Sequence, residues 1–214
     1  ACFNQIAMTI VQIVMNNVLS HYGASSVYGS NIPLACAGII TKVNMIFMSF
    51  VIGISQGIQP VIGFNYGAKK YNRVKKTYLL ALATATFLSL IAFACFQFFP
   101  RQIIRVFGEG SVLYYQFSER YFRIYMFFTL INGIQPVTAN FFNSIGKSQL
   151  GIFMSLTRQI LFLLPLIVIF PIFMGIDGVM YAGPIADIAA AVVCGVFTIK
   201  ELRELTRLNS QQTV

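Results

Sequence analysis

Six long apolar stretches, separated by short polar connections, set the pattern of this chain. They cover residues 3–20, 33–61, 77–99, 121–142, 151–173 and 178–199. A hydrocarbon core of about 30 Å takes roughly 20 helical residues to cross at 1.5 Å each, so every stretch predicts a transmembrane helix. The expected fold is an all-α integral membrane protein. Its six spans form one lobe over residues 1–200, followed by a cytoplasmic C-terminal tail at 201–214.

Polar residues inside the stretches follow the helical period. Gln5, Thr9, Gln12 and Asn16 recur at i, i+4, i+7 and i+11, one stripe down the first span, with Met8 and Met15 beside it. Lipid cannot satisfy such groups, so the stripe must meet protein or water. Two fates stay open. One is a wet cavity, where flexible thioethers suit varied ligands. The other is interhelical hydrogen bonding, worth about 0.6 kcal/mol per contact. The second span carries a similar row in Thr41, Asn44, Met48, Ser55 and Gln59, and the fourth offers Asn132 and Gln135. The candidate substrate-pathway residues are Gln5, Met8, Thr9, Gln12, Asn16, Asn44, Gln59, Asn132 and Gln135.

The pentapeptide Gly57-Ile-Gln-Pro-Val61 returns as Gly133-Ile-Gln-Pro-Val137, 76 positions later. Proline removes a helical donor, and the freed carbonyl needs a neighbouring helix or water. Gly57 and Pro60, with Gly133 and Pro136, are therefore candidate helix breaks at matching depth in a duplicated bundle with an internal three-helix repeat. Ordinary packing kinks are the alternative, since proline is common in membrane helices.

Composition agrees with the membrane class: 57% of residues are hydrophobic and 10% charged, at a mean hydropathy of +0.74. The net charge of +9 is a matter of loops. Lys69, Lys70, Arg73, Lys75, Lys76, Lys147, Lys200, Arg203 and Arg207 follow even-numbered spans. The odd connections hold Arg101 and Arg105, with Arg120 and Arg123 nearby. By the positive-inside rule both ends of the lobe are cytoplasmic, and no nucleic-acid partner is needed to explain the charge. The cysteines Cys2, Cys36, Cys95 and Cys194 have unrelated spacings and His21 stands alone, so neither a metal site nor a disulfide framework is expected. No phosphate loop or HExxH motif appears, and the chain is expected to be neither an enzyme nor the carrier of a cofactor. No charged n-region precedes the first apolar helix, which argues against a signal peptide and predicts a piece of a longer chain.

Three ionisable residues stand inside spans. Lys42 either snorkels to the outer interface or faces a cavity. Arg158 needs carbonyls, a carboxylate or headgroups as a gating or structural contact. Asp187 follows Gly183-Pro184 and is a helix cap, a salt-bridge partner or a cation site. The other acids lie outside the membrane or at its edge: Glu109 and Asp177 in external connections, Glu119 leading into the fourth span, and Glu201 and Glu204 cytoplasmic.

The stretch from Gly53 through Gly57-Ile-Gln-Pro-Val-Ile-Gly-Phe-Asn-Tyr-Gly-Ala-Lys69 resembles the multidrug and toxic compound extrusion (MATE) family, its MepA-like bacterial branch most closely. Arg105-Val-Phe-Gly108 before Tyr121-Phe-Arg-Ile-Tyr125, Asn140 to Lys147, and Ser155-Leu-Thr-Arg158-Gln159 are similar to further family segments. The resemblance covers nearly the whole chain but matches only the second of the family's two lobes. It implies alternating access that couples efflux of small, often cationic drugs to a Na+ or H+ gradient across the bacterial cytoplasmic (inner) membrane. The missing N-terminal lobe would be the partner. Some members place a coupling acid in the second lobe's first or fourth helix; Gln5, Gln12, Asn132 and Gln135 cannot titrate, so the main coupling carboxylate is expected in that missing lobe. A lipid-linked-saccharide flippase of the same superfamily and a non-transporting membrane subunit are the alternatives.

Overall fold

The computed structural model describes residues 2–108 and 110–211, of residues 2 and 3 only the backbone. Glu109, the side chain of Cys2 and residues 212–214 of the expected tail lie outside the described residues.

The first span is α1 (Cys2–Ala24) and the second runs through α2 (Asn31–Gly57) and α3 (Gln59–Gly67). The third is α4 (Tyr71–Phe98), followed by the short α5 (Pro100–Phe107). The fourth is divided into α6 (Val112–Tyr125), α7 (Thr129–Asn132) and α8 (Ile134–Ser144). The fifth consists of α9 (Ser148–Leu156), a π-helical segment (Thr157–Leu163) and α10 (Leu164–Met174), and the sixth is α11 (Ile176–Gln211). Among the described residues there is no strand. Four helical runs are long and apolar enough to span a membrane unaided: Asn31–Gly67, Tyr71–Phe98, Ser148–Met174 and Ile176–Gln211. The first span is diluted by its amides and the fourth by its interruptions, so both depend on bundle partners.

Neither repeated proline opens its helix. Pro60 is the second residue of α3, and the interruption is Ile58 alone, still right-handed at φ −81° and ψ −17°. The amide of Ile62 donates to the Ile58 carbonyl at 2.9 Å, so the helix resumes at once. Gly133 keeps φ −69° and ψ −21° before α8. At each site the helix is interrupted by a single residue, Ile58 or Gly133, and resumes. The two sites fall in the second and fourth spans, two spans apart, on α2–α3 and α8, which pack against each other. The recurrence therefore lies on two neighbouring interrupted helices, in the second and fourth spans.

A larger departure is the π segment. Pro165 lies just beyond it; it has no N–H, and its ring would clash with the carbonyl four residues back. Widening the preceding turns accommodates that ring, and such π turns often occur at functional sites. Gly175 turns the chain at φ 59°, where a side chain would be strained, and Gly178 then packs against the Phe170 and Pro171 backbone.

Aromatic side chains fill the centre. Tyr78, Phe117, Tyr121, Phe122, Phe141 and Phe142 are fully buried. The Tyr78 hydroxyl lies 3.0 Å from Thr138 Oγ1 and 3.4 Å from Thr198 Oγ1, tying α4 to α8 and α11. Ion pairs fasten the two ends. Arg101–Glu119 (3.5 Å) and Arg120–Asp177 (3.1 Å) lie at one end. Lys147 meets Glu201 at 2.7 Å and Glu204 at 3.4 Å at the other. The helix α11 continues unbroken past residue 200, with Glu201 and Leu205 buried, so backbone geometry does not mark the expected domain boundary.

Candidate functional site

The outward faces of the helices differ in kind. On α4 the exposed row holds Leu80, Phe87, Leu90 and Ile91, and on α10 Val168, Ile169, Ile172 and Phe173. Bulky apolar rows of this type suit lipid. The buried row of α1 is Ala7, Val11, Met15 and Leu19, at intervals of four. That leaves Gln5, Met8, Thr9 and Asn16 exposed and Gln12 half-buried. Gln12 donates to Asn16 at 3.2 Å, and the Thr9 hydroxyl to the Gln5 carbonyl at 2.9 Å. The stripe bonds along its own helix and presents its remaining capacity outward.

The second span corrects the expected side. Ser55 and Gln59 turn inward: Gln59 donates to Asn140 Oδ1 at 2.7 Å, and Asn140 donates to Ser55 Oγ at 2.6 Å. Asn44 is half-buried, its Oδ1 buried and unpartnered. The exposed row of α2 is instead Ala35, Lys42, Ser49 and Gln56 at heptad spacing, with Ile46, Gly53 and, beyond the helix end, Pro60 alongside. Small and polar residues dominate its centre. Gly23, at the end of α1, sits where a side chain would meet Gly29 and Ser30 of the connecting turn and Pro33 of α2, and α1 and α2 pack against each other. The Lys42–Ser49–Gln56 spacing was readable in the sequence; which of the two polar rows faced out was not.

In the fourth span, Gln135 donates to the Met154 and Ser155 carbonyls at 2.7 and 3.2 Å, and Asn132 is buried. The Gln135 bonds join α8 to α9. Asn4 exchanges hydrogen bonds with Ser155 at 2.9 and 3.1 Å, tying α1 to the same place.

Arg158 and Asp187, 29 residues apart in sequence, form a buried ion pair through Nε and Oδ1. Arg158 is the second residue of the π segment, which carries it into contact with α11. That helix runs through Pro184 without opening, so Asp187 has no freed amides to cap and is an ion-pair partner instead. Tyr125 packs on Gly183 and, with Asn132, lies beside the pair. The π segment and the Tyr125 contact had no signal in the sequence. Lys42 is exposed and makes no ion pair. It lies 11 residues into α2, about 16 Å along the axis from Asn31.

A separate cleft of about 270 Å³, lined by Gln97, Arg123, Ile124, Phe127, Phe128, Tyr181 and Pro184, contains none of the expected pathway residues. Among the described residues no group of His, Cys, Asp and Glu could hold a metal ion.

This architecture is one lobe of a MATE-type transmembrane bundle. The MatE family model matches residues 1–169, and the chain belongs to that family. A curated relative, an FAD transporter of Shewanella oneidensis, is 22% identical over 192 residues, covering 86% of this chain and 39% of the relative. An outward-facing multidrug resistance MATE transporter superposes with a TM-score of 0.85 at 19% identity, over 96% of this chain and 45% of that one. An inward-facing multidrug resistance MATE transporter gives 0.84 at 20%, over 95% and 46%. The chain thus spans less than half the length of the proteins it matches.

Proposed function

We propose that this chain is the C-terminal half of an ion-coupled efflux transporter, with the exposed polar faces of α1 and α2 lining its solute path. The contrast between those faces and the apolar rows of α4 and α10 carries the proposal. Polar amides and an unpaired lysine are costly in lipid and useful against water or a second lobe. The lobe fits outward-facing and inward-facing relatives equally well. That supports rigid-body alternation, in which solute and coupling ion favour different states of one pathway. Each described carboxylate is in an ion pair, so the coupling acid is assigned to the other lobe. The membrane is the bacterial inner membrane, with both ends of this lobe cytoplasmic.

Dye efflux by the complete transporter in inside-out vesicles, under separate sodium and proton gradients, tests the proposal. Gln12→Leu and Ser49→Leu are expected to reduce efflux while expression is unchanged. Wild-type efflux by both variants, or parallel loss of expression and efflux, counts against the pathway. A second reading, a nucleotide-type solute, is favoured by the relative whose name gives FAD as its cargo.

A further inference from the structure

The cleft lined by Gln97, Arg123, Phe127, Phe128, Tyr181 and Pro184 lies between two faces suited to lipid. Tyr181 begins the exposed apolar row of α11 that continues through Ile185, Ile188, Val192 and Val196. Gln97 stands seven residues beyond Leu90 on the exposed row of α4. The break in the fourth span shapes the cleft. After Tyr125 the helix stops, and the Phe127 amide donates to the Ile124 carbonyl, not to that of Arg123. The Arg123 carbonyl so freed accepts from Gln97 Nε2 at 3.0 Å, and the exposed Phe127 ring meets Phe93 edge-on at 5.9 Å. Contacts from α4 therefore fix the wall. Arg123 is itself exposed, three residues or about 4.5 Å of helix from Arg120, and so one turn inside an ion-paired end of the lobe. Arg101 and Arg120 at that end are matched by Glu119 and Asp177, whereas Arg123 and Arg105 have no ion-pair partner among the described residues. A volume of about 270 Å³ falls short of the roughly 300–1,000 Å³ that encloses a drug-sized molecule, so the cleft takes one end of a longer one. An amphiphile lying along the lobe has the matching form. Its chain packs on Phe127, Phe128 and Tyr181, and its anionic group meets a guanidinium whose planar fork bonds phosphate oxygens in pairs.

We propose that this cleft binds an anionic glycerophospholipid of the bilayer, with the headgroup phosphate on Arg123 and an acyl chain against the aromatic wall. The unmatched charge of Arg123 and Arg105 favours a headgroup of net negative charge over a zwitterionic one. None of the residues assigned to the solute path lines the cleft, so the two readings stand or fall separately.

This chain holds no tryptophan, so Phe127→Trp adds a single reporter from this lobe to the complete transporter. The variant is reconstituted in mixtures of phosphatidylglycerol and phosphatidylcholine, with one or the other lipid brominated. Quenching of the added fluorescence gives the relative affinity of the two lipids at that position. Tyr181→Trp is a second reporter in the cleft, and Phe87→Trp, on the exposed row of α4, is the control outside it. Phosphatidylglycerol should be preferred about fivefold at both cleft positions and not at Phe87. Arg123→Gln should abolish the preference and Arg123→Lys should keep most of it. Equal quenching by the two lipids in the cleft, or the same preference at Phe87, overturns the site. A preference that survives Arg123→Gln overturns the assignment of the phosphate to Arg123. Absence of quenching by either brominated lipid means that protein covers the cleft, the other lobe or a second copy, and also overturns the site. Soluble glycerol phosphate should not relieve the quenching; relief would mark a water-facing anion site in place of a lipid site.

Discussion

At the scale of single residues, the Arg158–Asp187 pair is where the free-energy stakes are highest. Both side chains are nearly inaccessible, at 10% and 1% exposure. Each charge is tolerated because the other is present, so removing one strands its partner. Asp187→Asn and Arg158→Met are each expected to destabilise the lobe by about 3–5 kcal/mol. The double replacement Arg158→Met with Asp187→Leu should recover most of that loss. Thermal unfolding in detergent checks it; a double variant no more stable than the singles would mean that the pair does more than neutralise itself. Lys147 offers a milder case. Burial works against its ammonium, but the hydrogen bonds and charges of Glu201 and then Glu204 outweigh it and raise the pKa above its ordinary 10.5. A lysine raised on folding stabilises below its unfolded pKa and loses that contribution as pH climbs through the raised value. The gap in unfolding temperature between wild type and Lys147→Met should hold from about pH 7 to about pH 10 and narrow above that.

At the scale of elements, the α10–α11 corner is a close contact against backbone. A Cβ on Gly178 would lie 2.5–2.7 Å from backbone atoms of Phe170 and Pro171, which cannot swing aside. Gly178→Ala should force the helices apart at about 1–3 kcal/mol. Gly53→Ala meets nothing within 4 Å and should leave stability nearly unchanged. Equal unfolding temperatures for the two variants would refute the corner as a structural lock. What was legible at this scale follows from what periodicity encodes. It located the spans, and the residues of the α1 stripe lie exposed or half-buried because another side of that helix is buried against neighbours. It chose the wrong side of α2, because α2 packs against α1, α4, α6 and α8 and hides one polar row in bonds to Asn140. The π segment depends on how Pro165 is accommodated, and the meeting of Arg158 with Asp187 depends on tertiary packing. Neither is a property of any one stretch of sequence.

At the scale of the whole molecule, one side of the lobe is built for lipid and another is not. The exposed polar rows of α1 and α2 would impose a cost on an isolated lobe that each unpaired amide increases. The chain spans 39% of the curated relative and 45% of the outward-facing transporter, and we propose that part of the remaining length covers that side. The family resemblance implies two lobes related as parallel repeats about an axis along the membrane normal, a relation by which a second copy could take the other lobe's place. The 214-residue chain expressed alone is therefore expected to dimerise in detergent through α1 and α2. Gln12→Cys should cross-link the two copies, and Phe87→Cys, on the lipid-facing row of α4, should not. A monomer that stays stable, or cross-linking through α4 in preference to α1, would mean that the polar faces are not the closing surface. Such a dimer should carry no gradient-driven efflux, because its intramembrane carboxylate, Asp187, is already committed to Arg158. Coupled efflux by the dimer would instead require that pair to open during transport, making Asp187 the coupling site.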